Sequence, residues 1–267
     1  MTQGVKQLCK RLLRKFGYEV SRLNAEESAD KDYLAALTVE ESQYYTKWCA
    51  PCSLFTPWVG HPDFQRVYEG IAPYTIVDPD HCYILTGVAR YASLLAGDFA
   101  ECGVYKGGTA LLLCRILRDS GKVLRLFDSF KGLPKGDPEK DKWFSEGEYS
   151  SDSLDAVQQL LIDFRGFVDI RCGWIPQTFA GLENKRYAFA HLDVDLYQSA
   201  LDCCRYFYPR MVPAGVMLFD EYGYPAARGE KVAVDEFFSD KPESPIVLPT
   251  GQAIVLKGPC AQNQPIV

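Results

Sequence analysis

The feature that most constrains this chain is an alternation that begins at Asp98, in which short apolar runs of strand length are each followed by a segment with helical spacing. Strands are predicted at 99–104 (FAECGV), 123–129 (VLRLFDS), 167–173 (FVDIRCG), 187–194 (YAFAHLDV) and 215–221 (GVMLFDE). Helices are predicted near 108–119, 151–164, 198–207 and 230–239, with another at 81–96 ahead of the first strand. Alternation of this kind implies a mostly parallel sheet covered on both faces and joined by right-handed crossovers. Two late strands, 245–249 and 252–257, flank Thr250-Gly251 and add an antiparallel hairpin. The expected fold is therefore α/β and Rossmann-like, with roughly seven strands and helices on both faces.

A chain of 267 residues has room for one large domain of this type and an N-terminal extension. The expected division is 1–96 (a helical, lid and oligomerisation segment), 97–259 (the α/β domain) and 260–267 (a tail). Residues 5–16 gather Val5, Leu8, Leu12, Leu13 and Phe16 on one helical face, with Lys6, Lys10, Arg11, Arg14 and Lys15 around them. A basic amphipathic helix suits peripheral contact with an anionic membrane, a partner subunit or the protein's own body. Pro-rich, aromatic residues 49–80 read as turns and lid.

The same cations interrupt any apolar leader, and no run reaches the roughly 18 apolar residues of a membrane span. A cytoplasmic chain is expected, with Cys102, Cys114, Cys172, Cys203 and Cys204 as buried thiols. Cys49 and Cys52 form a CxxC with no second pair at metal-ligand spacing, which favours a structural reading over zinc or redox chemistry. A net charge of −6 argues against nucleic acid as a partner.

In open α/β sheets ligands bind beyond the carboxyl ends of the strands, and the predicted strands end in polar or glycine-containing motifs. The first is Glu101-Cys102-Gly103-Val104-Tyr105-Lys106-Gly107-Gly108-Thr109. Its spacing differs from the dinucleotide GxGxxG, and Glu101 suits a cationic ligand, an ammonium or sulfonium, better than a pyrophosphate. Asp128, at the end of the second strand, suits ribose hydroxyls, with Ser129 and Phe130 beside it near an adenine. Gly173 and Trp174 end the third strand, where Trp174 either encloses the adenine or packs into the core.

The fourth and fifth strands end in His191-Leu192-Asp193-Val194-Asp195 and Phe219-Asp220-Glu221-Tyr222. Acids this dense repel one another unless a cation lies between them, and oxygen donors suit magnesium. A carboxylate beside the ion would remove a hydroxyl proton, which makes Asp193 and Asp195 the catalytic candidates. The alternative is that Asp195 caps a helix and Glu221 faces solvent. His61 and His81 are both candidates for an auxiliary base. Residues 135–149 (KGDPEKDKWFSEGEY) read as a lid hinged at Gly136 and Gly147.

These motifs, together with LFDSFKGLP, LDVDLYQSA, YPRMVPAGVMLFDEYGY and Ala233-Val234-Asp235-Glu236-Phe237, give the chain a resemblance to the macrocin O-methyltransferase family over about residues 54–257. The resemblance implies methyl transfer from S-adenosylmethionine to a sugar hydroxyl on a small-molecule or glycoconjugate acceptor. It implies cofactor binding at Glu101, Gly103, Gly107 and Asp128, magnesium at Asp193, Asp220 and Glu221, a base at Asp195, and homo-oligomers assembled through N-terminal segments. Metal-using members often carry two consecutive aspartates where this chain has Asp220-Glu221, which leaves both a metal site and a metal-free site open. The other readings are a phenolic or catechol O-methyltransferase, a glycosyltransferase using Asp193-Val194-Asp195 as a DxD motif, a nicotinamide oxidoreductase, whose GxGxxG the glycine turn does not match, and a non-catalytic cofactor-binding or assembly protein.

Overall fold

The computed structural model describes residues 56–150 and 154–259. A single turn of helix, Pro57–Gly60, comes first, followed by α1 (Pro62–Glu69) and α2 (Pro79–Ala92), each opened by a proline whose missing N–H costs nothing in a first turn. There follow β1 (Asp98–Cys102), α3 (Gly108–Leu117), β2 (Leu124–Asp128), α4 (Leu154–Leu160), β3 (Val168–Cys172) and β4 (Tyr187–Leu192). The chain continues through α5 (Tyr197–Phe207), β5 (Met211–Phe219), α6 (Arg228–Phe238), β6 (Ile246–Val247) and β7 (Ala253–Leu256).

The strands form one seven-stranded sheet in the order β3-β2-β1-β4-β5-β7-β6. Strands β1 to β5 run parallel, and β7 is antiparallel to both β5 and β6, as the sequence predicts. The chain winds outward from β1 to β3 and then returns to place β4 on the other side of β1. That reversal opens a crevice at the carboxyl ends of β1 and β4, where ligands of such sheets bind.

Residues 62–69, inside the 49–80 stretch expected as turns and lid, form helix α1, and two element boundaries also move. The helix expected over 151–164 is α4 followed by a separate 3₁₀ turn, Ile162–Phe164, which delivers Leu161 and Phe164 to the core. Strand β5 starts at Met211 rather than 215, because Pro213 and Ala214 (φ 63°) form an irregular stretch that the sheet tolerates at its margin.

Each face of the sheet has its own core. One joins Leu85 and Ala89 of α2 and Leu112 of α3 to Phe99, Leu124, Phe189 and Val216. The other joins Phe127, Leu192 and Phe219 to Phe207 of α5 and Val234 of α6. Phe64 and Ile71 belong to the first, so the described part of the N-terminal segment packs on the same sheet as the later helices. Successive strand residues face opposite ways. That alternation sends Glu101, His191 and Asp220 toward the α2 side, at the same ends of three adjacent strands.

Beyond the strands the ladder continues: Gly103 N–H donates to Phe127 O (3.0 Å), Asp193 N–H to Cys102 O (2.9 Å) and Asp220 N–H to Leu192 O (2.9 Å). This zip draws the motif turns together and forces a close approach at Gly103. Its φ is +85°, and a Cβ there would lie 1.8 Å from the Asp193 carbonyl oxygen. Gly103→Ala is expected to lose about 3 kcal/mol or more of stability from strain and clash together. Urea unfolding at unchanged m-value measures it, and a loss below about 1 kcal/mol would contradict this close packing.

Candidate active site

The turn after β1 is organised by Asp128 from the end of β2. Its Oδ2 accepts the N–H groups of Val104 (2.7 Å) and Tyr105 (2.9 Å), and Oδ1 accepts that of Phe130 (2.6 Å). One carboxylate thus fixes both ligand-facing turns at once. Tyr105 and Phe130 are held at φ 51° and 56°, conformations that side-chain-bearing residues adopt only under local constraint. Ser129 Oγ closes the second turn by donating to Gly132 O and accepting from Lys131 N–H. Gly107 and Gly108 start α3 against the chain's own atoms: a Cβ would meet Val157 and Leu160 at the first and Tyr74 and Thr75 at the second. Thr109 is buried in that helix, and the Lys106 ammonium lies 5.0 Å from the Tyr105 ring centroid. Gly173 N–H donates to Asp128 O (2.9 Å), which brings the β3 end beside the same turn, and Trp174 is 40% exposed there rather than in the core.

Next to this turn runs a buried chain of alternating charge. Glu101 Oε1 meets His191 Nδ1 at 3.0 Å, His191 Nε2 meets Asp220 Oδ1 at 3.3 Å, and Asp220 Oδ2 meets His81 Nδ1 at 2.9 Å. His81 Nε2 then donates to the Thr250 carbonyl at 2.9 Å, while Gln252 Nε2 donates to Asp220 Oδ1 at 2.7 Å. Both nitrogens of each imidazole face oxygen acceptors, so each ring carries two protons. Burial works against that charge, but the hydrogen bond and negative charge of Asp220 outweigh it and lift His81 to about 9. His191 is raised well above its ordinary value on the same balance, with Glu101 adding to Asp220. Burial likewise opposes ionisation of Asp220, yet the two imidazoliums hold its carboxyl below the usual range. One atom is left over: Glu101 Oε2 is buried and has no hydrogen-bond partner.

The remaining acids gather at the ends of β4 and β5. Asp193 and Glu221 are partly buried, and both are raised well above ordinary carboxyl values, first by burial and then by neighbouring negative charge. Asp195 sits at φ 57° in the turn before α5 and is raised to about 7 by burial and by the charges of Asp220, Glu148 and Asp141. A further carboxylate joins them from the first turn of α6: Glu230, fully buried, whose Oε1 accepts the Glu221 N–H at 3.2 Å. Tyr149 lies close enough to feel Asp195, Glu221 and Tyr224, and both tyrosines keep an exposed edge.

The structure therefore brings the β1 turn, Asp128 and the acids of β4 and β5 to one end of the sheet. Among the described residues, the group of three donors whose ligand atoms lie within 4.8 Å of one another is His81, Asp220 and Glu221. His61 stands elsewhere, its Nδ1 accepting the Phe64 N–H as the cap of α1. The expected lid is tied down: Asp141 accepts the N–H groups of Asp137 and Tyr197, and Leu133 pairs with Gly147 and Glu148. The Cys49/Cys52 pair and the amphipathic residues 5–16 lie outside the described residues, and no described helix is long and apolar enough to cross a membrane.

His191, Gln252 and Glu230 escaped the sequence reading as functional residues, and His81 entered it only as a candidate auxiliary base. Two of them carried a signal. His191 interrupts an otherwise apolar strand, and Glu230 stands on the same helical face as Ala233 and Val234, which are buried. A titratable group in either position needs partners.

A sheet of this order, with helices on both faces and acids at the ends of β4 and β5, defines a Rossmann-like methyltransferase fold. The O-methyltransferase NovP shares it at a TM-score of 0.61 and 22% identity over 69% of this chain and 82% of that one. The calicheamicin methyltransferase CalS11 does so at 0.58 and 16% identity, over 89% and 95%. The macrocin O-methyltransferase (TylF) family model matches residues 88–246, more than half of the sequence, and the chain belongs to that family. It is 30% identical over 144 residues (49% of this chain, 55% of the relative) to the 8-demethyl-8-(2,3-dimethoxy-alpha-L-rhamnosyl)-tetracenomycin-C 4'-O-methyltransferase of Streptomyces olivaceus. It is 29% identical over 147 residues (49% and 58%) to the mycinamicin III 3''-O-methyltransferase of Micromonospora griseorubida. The chain thus spans a little over half the length of these relatives.

The raised value of Asp195 has a consequence for stability. The unfolded carboxyl ionises near 3.8 and the folded one near 7, so between these pH values the folded state holds the extra proton. Stability therefore falls as pH rises from about 4 to about 7, and the loss persists above. In Asp195→Asn this penalty is absent. With divalent ions chelated, the variant's melting temperature is expected to gain on wild type between pH 4.5 and pH 8. A difference independent of pH would refute the raised value.

Proposed function

We propose that this protein is an S-adenosylmethionine-dependent O-methyltransferase acting on a sugar hydroxyl, free, nucleotide-linked, or on a glycolipid or natural product. The observation that carries this reading is geometric: the turn tied by Asp128 and the β4-end acids meet at Gly103, which is pressed on the Asp193 carbonyl, and Asp195 follows two residues on. Glu101 Oε2 fits the same reading, because a buried oxygen without a partner suits a cationic ligand such as the cofactor's ammonium or sulfonium. Glu101, Gly103, the 105–109 turn, Asp128, Ser129, Phe130, Gly173, Trp174 and Asp193 would hold the cofactor, which would supply a methyl group on positive sulfur. The relative from Streptomyces olivaceus is named for methylating a rhamnosyl tetracenomycin, which favours a sugar as acceptor.

In the proposed step, Asp195 takes the hydroxyl proton as the acceptor oxygen bonds the methyl carbon and the carbon–sulfur bond breaks. Bound S-adenosylmethionine would give up the methyl group and keep the bonding pair as a neutral thioether, while Asp195 would hold the proton. A carboxyl near 7 is matched to this task, since it is substantially ionised at neutral pH yet basic enough to accept a proton. The Asp128-tied turns and the anchored 133–148 segment would hold the reacting groups in line and keep water out.

Asp220 and Glu221, whose donor atoms lie within 4.8 Å of each other and of His81, would hold a divalent ion, with Asp193 as the further carboxylate expected to join them. Several acids crowd there, and all-oxygen donors suit magnesium. His81 is the poorer donor, because both its nitrogens face acceptors and a doubly protonated ring has no lone pair, whereas a hydrogen-bonded carboxylate oxygen keeps one. An ion in this place would supply Lewis acidity to neighbouring hydroxyls.

A phenolic acceptor is the second reading, favoured by the exposed edges of Tyr149 and Tyr224 beside the acids. Residues 5–47 are the proposed oligomerisation segment, and residence in the cytoplasm belongs to the same proposal.

Calorimetric titration with S-adenosylhomocysteine tests the cofactor, and micromolar binding is expected. Asp195→Asn should bind it equally well yet turn over sugar acceptors about 10²–10⁴-fold more slowly. Absence of cofactor binding would overturn the reading as a whole. Full activity in Asp195→Asn would overturn the base assignment alone.

A further inference from the structure

Glu230 has no part in the methyl-transfer step, yet it is among the most deeply buried acids of the chain, with no solvent exposure. Its position is held from one side only. Oε1 accepts the Glu221 N–H at 3.2 Å, and Oε2 is buried without any hydrogen-bond partner. The largest charges that act on it are those of Asp195, Asp193 and Asp220, all of them negative, so the carboxylate stands among the strand-end acids. A stray carboxylate in this place would add repulsion to a crowded site and leave an acceptor unsatisfied, each a cost of folding. Both costs are relieved if a cation with bound water occupies the cluster. Magnesium and manganese keep several waters when held by few carboxylates, and those waters need acceptors beyond the ligands.

We propose that Glu230 is an outer-sphere carboxylate of the divalent-cation site, a positioning residue that fixes the Glu221 main chain through Oε1 and accepts a hydrogen from ion-bound water through Oε2. The inference rests on the reading of Asp193, Asp220 and Glu221 as an ion site. It also gives the Asp220-Glu221 pair a physical setting: the longer second acid is held at its backbone by a carboxylate from α6, which leaves its side chain to reach the ion.

Titration calorimetry with Mn²⁺ alone, on the full chain without cofactor, tests this. Wild type is expected to bind one ion, and Asp193→Asn to lose it. Glu230→Gln keeps the volume and an oxygen for the Glu221 N–H but removes the charge. Its Mn²⁺ affinity is expected to fall about 10–100-fold, with the melting temperature in chelator unchanged or higher. Glu230→Asp, charged but one methylene short, should fall between the two. If Glu230 only supports the Glu221 backbone, Glu230→Gln will bind Mn²⁺ like wild type, which overturns the proposal and leaves the ion site standing. If wild type binds no Mn²⁺, the ion reading falls and the proposal with it.

Discussion

The chain Glu101–His191–Asp220–His81 is the interaction on which the rest of this site depends. It ties the ends of β1, β4 and β5 to the start of α2 and to the Thr250 turn before β7, five places far apart in sequence. Burying four titratable groups costs a great deal of solvation, and the arrangement is tolerable because negative and positive members alternate and nearly every polar atom has a partner. Removing one member would leave its neighbours as uncompensated buried charges, typically a loss of about 3–5 kcal/mol. The exception, Glu101 Oε2, falls at the end of the chain nearest the β1 turn, where a cationic ligand is expected.

That network also sets the electrostatics of what lies beside it. With its protons accounted for by two imidazoliums, Asp220 stays ionised. Its charge, added to burial, raises Asp193, Asp195, Glu221 and Glu230 together. One low and several raised carboxyls in contact is the division that acid–base chemistry needs, because groups of the same type acquire different protonation at one pH. The cost is borne in stability, and the tightly zipped strand ends, with Gly103 pressed on the Asp193 carbonyl, supply the rigidity that holds the acids in place.

Much of the fold was legible because its signals are local and repeated. The strand cores were found within a few residues, since an apolar run buried on both faces has no other easy home, and the antiparallel pair followed from the Thr250-Gly251 turn. The misses also have local causes. Pro213 and Ala214 concealed the first half of β5, and the helix after 151 changed to a 3₁₀ turn where Leu161 and Phe164 enter the core. At the site, strand-end position alone marked Glu101, Asp128, Asp193, Asp195, Asp220 and Glu221. His81 was a candidate base by residue type alone, level with His61, because its partners are 139 and 169 residues away and a histidine near a helix start is ordinary in itself.

By itself, then, the sequence determined the layered α/β architecture, the family and the acids that line one end of the sheet, because spacing and hydrophobic period act over a few residues and survive in any one stretch of chain. Tertiary structure decided what each acid does. Whether a carboxylate is ionised, paired or left facing a cavity depends on burial and on charges within a few ångströms, and those come from strands and helices the chain brings together only on folding. Asp128 thus became the tie between two turns, His191 and His81 the charges that hold Asp220 ionised, and Glu230 a buried acid with one oxygen unpartnered.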